Sequence, residues 1–230
     1  MKRLALLIFP LATFLLGGCV SPPSEKLKVK RVVVANFLEP KLSRFSVGFT
    51  VFGNRASLNE RVDGLEQGLN DSVKAVAKQR FTDVVFLNNP PPAPPRRMYF
   101  TDLSEVYGGF AKTLAQQHQA DAVMLVLPRT GFPYGVPRDM MATGIGVYHM
   151  GNTAQVEPMV DVLVLNGQTG RRYGFGVALR PSPTVSLPWR ERFNDYSPSE
   201  RQVLIQAIHE SFVTRVARTV DMQGFRPRPQ

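Results

Sequence analysis

Three short runs of apolar, largely β-branched residues punctuate this chain: Val29–Phe37 (Val-Lys-Arg-Val-Val-Val-Ala-Asn-Phe), Phe81–Leu87 and Ala122–Leu127. Val32–Ala35 and Ala122–Leu127 run on without the polar alternation of a half-wet sheet, so they read as strands covered on both faces. Such strands need helices above and below them, which confines the fold to a sheet with helices packed on it. The segments between the runs supply those helices. Ser57 and Glu60 have the spacing of a capping box, and Leu58, Val62, Leu65, Leu69, Val73 and Val76 follow as one apolar stripe. Gly64 and Gly68 are expected to let that helix lie close to the sheet. Asp102 and Glu105 open a second helix, with Val106, Phe110 and Leu114 inward, ending near Gln119. Ser197-Pro198-Ser199-Glu200 opens a third, with proline at the first helical position. It runs to about Val220, with Val203, Ala207, Ile208, Phe212, Val216 and Val220 facing in.

Further strands are weaker. Arg44–Phe52 alternates Phe45, Val47, Phe49 and Val51 with small or polar residues, and 144–150 reads as extended. Glu157–Leu165 and Arg171–Leu179 flank Asn166-Gly167-Gln168-Thr169-Gly170, a hairpin signal. Asn88–Pro95 carries five prolines and is a surface loop. The order predicts an α/β (α+β) domain: a mixed sheet of about five to six strands with three main helices packed on it.

The ends of the chain are organised differently. Lys2 and Arg3 precede an apolar stretch, Leu4–Leu16, far shorter than the roughly 18 residues that a membrane span requires. Leu16-Gly17-Gly18-Cys19 follows it and contains the only cysteine. This tetrapeptide resembles the lipobox of bacterial lipoproteins. The resemblance implies cleavage after Gly18, three acyl chains on Cys19, and, with Val20 where aspartate would retain the protein in the inner membrane, a place in the outer membrane facing the periplasm. On this reading 1–18 is a signal peptide, 19–27 a lipidated tether, 28–221 a single periplasmic domain and 222–230 a disordered tail.

Charge narrows the partners. The chain is formally +10, a balance suited to nucleic acid, anionic lipid or an acidic polymer, or simply to solubility. In the periplasm nucleic acid is not an expected partner. The bilayer is one partner, through acylated Cys19, and an envelope protein is the other.

Catalytic chemistry has little to stand on. His118, His149 and His209 lie in different elements without metal-ligand spacing, and His118 and His209 are expected on helix surfaces. Gly144-Ile-Gly146 and Gly174-Phe-Gly176 lack the third glycine of a dinucleotide loop. Glu60, Asp102 and Glu105 are assigned to helix caps. No catalytic residue, metal or cofactor is expected.

Two segments are candidates for binding. Residues 129–148 are glycine-rich and carry Phe132, Tyr134, Met140, Met141 and Tyr148, as an exposed aromatic loop or as cover for the sheet. Trp189-Arg190-Glu191-Arg192-Phe193 joins the only tryptophan to two arginines, as an interface anchor or as a core tryptophan.

Val32-Val33-Val34-Ala35-Asn36-Phe37, the helix-to-strand run Leu65–Leu87, and Ala115-Gln116-Gln117-His118-Gln119-Ala120-Asp121-Ala122-Val123 together carry a second resemblance. They are similar to the α/β domain of the penicillin-binding-protein activator lipoproteins, the curli-secretion lipoproteins and the N-terminal part of the Tol β-propeller protein. The resemblance implies a non-enzymatic, partner-binding periplasmic domain that regulates or assembles an envelope complex. Two alternatives stay open: an oligomeric secretion or channel component, with Arg44–Phe52 and 144–155 inserted as membrane hairpins, or a lipid- or glycan-binding lipoprotein.

Overall fold

A computed structural model of the chain describes residues 29–48, 53–95, 102–133, 136–174 and 184–228. Gly18, Cys19, Tyr134 and most of the second hairpin arm (175–179) lie outside the described residues.

The elements run β1 (Arg31–Asn36), β2 (Lys41–Ser46), β3 (Arg55–Arg61), α1 (Leu65–Arg80), β4 (Asp83–Leu87), α2 (Leu103–His118) and β5 (Ala122–Pro128), then β6 (Thr130–Gly131), β7 (Ala142–Met150), β8 (Thr153–Asn166), β9 (Thr184–Ser186) and α3 (Pro198–Met222). The strands form one mixed sheet in the order β3-β2-β7-β8-β5-β1-β4, with β6 added to β7 and β9 to β8. β1 is parallel to β4 and β5, and β2 is parallel to β7. The α/β class holds, but the described sheet has nine strands rather than five or six. The strands beyond those expected are β3, seven residues long at the sheet edge, and the two- and three-residue pieces β6 and β9.

Unbroken apolar runs do produce strands buried on both faces. In β1, Val32 and Val34 join the cluster under α1 and α3, while Val33 and Ala35 join the one under α2. β5 divides likewise, with Met124 and Val126 on the first face and Val123 and Leu125 on the second. Fully burying one such Val or Leu contributes roughly 1.5–3 kcal/mol, so this three-layer core dominates the fold.

The sheet is staggered. β5 pairs with residues 160–166 of β8, whereas β7 pairs with 153–159. The 14 residues of β8 therefore span a basal half (β8-β5-β1-β4) and a distal half (β3-β2-β7-β8-β9), about 46 Å at 3.3 Å per residue. α3, 25 residues long, lies along it for about 37 Å.

Several expectations are corrected. The Ser57–Glu60 box does not start a helix. Ser57 Oγ does donate to Glu60 Oε2, at 3.4 Å, but both sit on β3, paired antiparallel to β2. Leu58 is consequently 58% exposed. α1 starts only after Gly64, whose φ of 78° is the left-handed turn between strand and helix. Gly68 does mark a close approach, though to α3 rather than to the sheet: a Cβ there would lie 2.2 Å from His209 Nε2. Val203 is 43% exposed and Leu204 faces the core in its place. Asp102 does cap α2, accepting from Ser104 N–H at 2.9 Å. The Ser197–Glu200 box closes reciprocally, at 3.2 and 2.7 Å.

The hairpin turn forms as read. Asn166 Oδ1 accepts from the N–H groups of Gln168 and Thr169, both at 2.9 Å, and Arg172 bridges to Leu165. The described part of the tail, 223–228, packs on the domain. Gln223 is fully buried and continues the ladder where β7 has ended. It accepts from Val164 N–H at 2.8 Å and donates to the Val162 carbonyl at 2.9 Å. Phe225 packs against Phe81 and Tyr173 with ring centroids 5.0 and 5.2 Å apart.

Candidate functional site

The most unusual chemistry lies in the distal half, where β2 and β7 run parallel and the segment 187–197 crosses them. Arg44 projects from β2 with no exposed surface. Removing a guanidinium from water is costly unless its donors are met. Nη2 donates to Glu60 Oε2 of β3 at 2.6 Å and to the Glu191 carbonyl at 3.0 Å, and Nη1 donates to the Arg190 carbonyl at 2.8 Å. Its cation lies 5.4 Å from the Trp189 ring and 5.5 Å from that of Tyr196, within cation–π range. The second oxygen of Glu60 accepts from Phe193 N–H at 2.6 Å. One ion pair, its arginine fully buried and its glutamate partly exposed, thus fastens β2, β3 and the 187–197 segment together.

His149, on β7, is fully buried beside this pair. Its Nδ1 lies 3.3 Å from the Leu187 carbonyl. A carbonyl only accepts, so Nδ1 carries the proton and Nε2 accepts from the Tyr196 hydroxyl, at 3.2 Å. Burial pulls the His149 pKa down to about 4, the Leu187 carbonyl works against that shift, and the charge of Arg44 adds to it. Near neutral pH this imidazole is uncharged and held in one tautomer. Burial likewise raises the Tyr196 phenol. The Trp189 ring meets His149 edge-on at 5.4 Å.

A second buried pair lies between α3 and β8, where Arg215 donates to Glu157. Burial lowers the pKa of Arg215 and Glu157 opposes that shift. Both clusters tie separate elements together, although the Nε of Arg44 has no hydrogen-bond partner among the described residues.

The predicted binding residues divide. Tyr148 is not on an exposed loop. It lies on β7, fully buried, stacked on Phe45 with centroids 5.0 Å apart, and burial raises its pKa. Met140 is buried with it, because 136–142 folds over the sheet as cover. Phe132 and Met141 are partly exposed, at 38% and 45%. Trp189 is half-buried, with its indole N–H lacking a partner among the described residues. Arg190 and Arg192 are exposed, and Arg190 reaches Glu200 at 3.3 Å. Arg55 pairs with Glu191 at 3.1 Å on the same surface. Trp189, Arg190 and Arg192 therefore form one amphipathic patch, while Phe132 stands apart and Tyr148 lies inside.

From sequence, Glu60 reads as a helix cap and His149 as an isolated histidine, and neither Arg44 nor Tyr196 stands out as a site residue. An arginine among the alternating apolar residues of Arg44–Phe52 was the available signal. The two segments read as membrane hairpins belong, where described, to this domain's own sheet, with Phe45, Ile145 and Val147 in its core. A groove of about 340 Å³ with a mixed polar and apolar lining is formed by Glu39, Lys41, Asn59, Pro128, Thr143 and Gly144.

Among the described residues no three His, Cys, Asp or Glu side chains converge as metal ligands, and no helix is long and apolar enough to cross a membrane. Compared with known families and curated proteins, the chain matches no family model and no curated protein.

Proposed function

We propose that this chain is a lipid-anchored, periplasm-facing protein of the outer membrane, one that binds an envelope protein and regulates or helps assemble its complex without catalysing a reaction. The observation that carries the reading is Leu16-Gly17-Gly18-Cys19, placed directly after a short apolar stretch headed by Lys2 and Arg3. Two or more acyl chains on one cysteine anchor a protein stably, where a single chain does not. The amphipathic patch of Trp189, Arg190 and Arg192 supports the partner-binding half, since Trp and Arg are the residue types that most often anchor interfaces. Its backbone is held by the Arg44–Glu60 pair, so the patch is presented as a rigid surface at low entropic cost.

Two measurements test the two halves separately. Mass spectrometry of the membrane-extracted protein is expected to find a chain that begins at acylated Cys19, and Cys19→Ala is expected to abolish processing. An unmodified Cys19 overturns the anchor. A photo-crosslinker at Arg192 is expected to yield one reproducible protein adduct in cells, lost when Trp189 is changed to Ala. Adducts that survive Trp189→Ala overturn the patch as the binding surface.

A further inference from the structure

The described chain begins at the end of the molecule where all three helices finish. α1 leads into β4 and α2 into β5, and both strands start level with β1, as Arg31 pairs with Asp83 and Val32 with Ala122. The C-terminus of α3 is tied in by Arg80 Nε, which donates to Asp221 at 2.9 Å. The tail then folds across this end. Arg228 N–H donates to the Gln79 carbonyl at 3.0 Å, and its guanidinium donates to the Lys78 carbonyl at 2.8 Å. Asp83 N–H donates to the Lys30 carbonyl at 2.9 Å, and Gly167 N–H brings the hairpin turn to the Asp121 carbonyl at 2.8 Å.

The result is a pole at which positive charge is in excess. Lys30, Lys78, Arg171, Arg226 and Arg228 are all exposed there. Of the nearby carboxylates, Asp83 is met by Arg31 at 3.3 Å and Asp221 by Arg80. Asp121 Oδ2 accepts from the backbone N–H groups of Lys30 and Arg31, both at 2.9 Å. Bases in a last helical turn answer the helix dipole, which accounts for Lys78 and Arg80. It does not account for Lys30, Arg171 and Arg226, which lie outside helices.

We infer that this pole docks on an anionic bilayer surface, its bases meeting phospholipid phosphates. The inference rests on the anchored reading for its geometry. Cys19 precedes Lys30 by eleven residues, at most about 40 Å of extended chain, so the anchor holds the pole within reach of the headgroups. Lys26 and Lys28 add two more bases to that stretch of sequence. A base near an anionic membrane raises affinity about fivefold at physiological ionic strength, and salt weakens the effect.

The test compares full-length protein on vesicles of phosphatidylcholine alone and of phosphatidylcholine with phosphatidylglycerol, at low and high salt. Acyl chains insert into both vesicles alike, and the pole variants separate its share of the anionic preference from that of the bases in the leader and tether. We expect preference for the anionic vesicles, erased by salt and weakened about 25-fold by Lys30→Gln with Lys78→Gln. Arg226→Gln weakens it further without touching a hydrogen bond of the fold. Arg61→Gln with Arg138→Gln, the same charge change on exposed residues elsewhere, leaves it unchanged. Equal binding to both vesicles, or equal weakening by the control pair, overturns the inference. So does heparin binding that is sensitive to Lys30 and Lys78 without any vesicle preference, since the occupant is then a soluble polyanion. An unmodified Cys19 alongside intact vesicle preference removes the anchor and leaves the pole standing.

Discussion

Arg44 and His149 illustrate how a single buried side chain dictates the conditions under which this fold persists. A fully buried guanidinium is stable only with its counter-charge, and Glu60 supplies it from β3. Removing one member of such a pair leaves the other charge uncompensated, at a cost of about 3–5 kcal/mol, whereas replacing both with apolar groups is often neutral. Glu60→Gln is therefore expected to lower the urea midpoint by an amount equivalent to about 3 kcal/mol, and adding Arg44→Met to recover most of it. Additive losses in that double variant refute the pairing as the source of stability. His149 acts through pH. Its folded pKa of about 4 lies below the ordinary value of 6.5, so the unfolded chain binds the proton first as pH falls. The stability linked to this residue is whole above pH 6.5 and lost progressively toward pH 4, about 3 kcal/mol in all. Urea unfolding at pH 7.5 and pH 5 is expected to differ in wild type and to differ far less in His149→Phe, measured against the same carboxylate background.

At the scale of elements, α1 and α3 meet where a helix position has no side chain. Gly68 lies against the His209 ring, and a methyl group there would overlap it. Alanine is better than glycine by about 1 kcal/mol inside a helix. Gly68→Ala alone is expected to gain nothing, because the ring must move. The same change in a His209→Ala background is expected to stabilise by about 1 kcal/mol, read as a shift in thermal midpoint. Equal effects in both backgrounds would mean that the ring is not the obstacle. This contact also marks the limit of what was legible in the chain. β1, β5 and the start of α3 were readable because burial on two faces and a capping box are local patterns. β3 was not. Its Ser57 and Glu60 carry the same spacing as a helix start, and only pairing with β2 makes them strand. Glu60 was set aside as a cap because its partners are sixteen residues back in Arg44 and far ahead in Phe193. Tyr148 looked like a loop aromatic because nothing in its neighbourhood announces Phe45 beneath it. The tail lacked any periodicity, and Gln223 earns its place only through a gap in the β8 ladder.

For the molecule as a whole, the stagger of the sheet joins two ends with different surfaces. The basal end carries the described start of the chain and the basic pole, and the distal end carries Arg44, His149 and the Trp189 patch. β8 and α3 are the elements that run through both, and the core they share is continuous from Val32 and Val164 to Ile145, Leu187 and Tyr196. A contiguous core of this kind gives neither half a surface at which to separate. Unfolding is therefore expected to be a single transition. The only tryptophan reports the distal half, since Trp189 lies against Arg44 and His149. Far-UV circular dichroism reports mostly α1, α2 and α3, with α1 and α2 packed on the basal strands. Urea titrations followed by both signals should give the same midpoint and the same slope. If Trp189 fluorescence changes at lower urea than the helical signal, the distal half opens on its own and β8 does not act as a shared beam. A coincident transition means that the two halves unfold as one cooperative unit, with β8 and α3 shared between them.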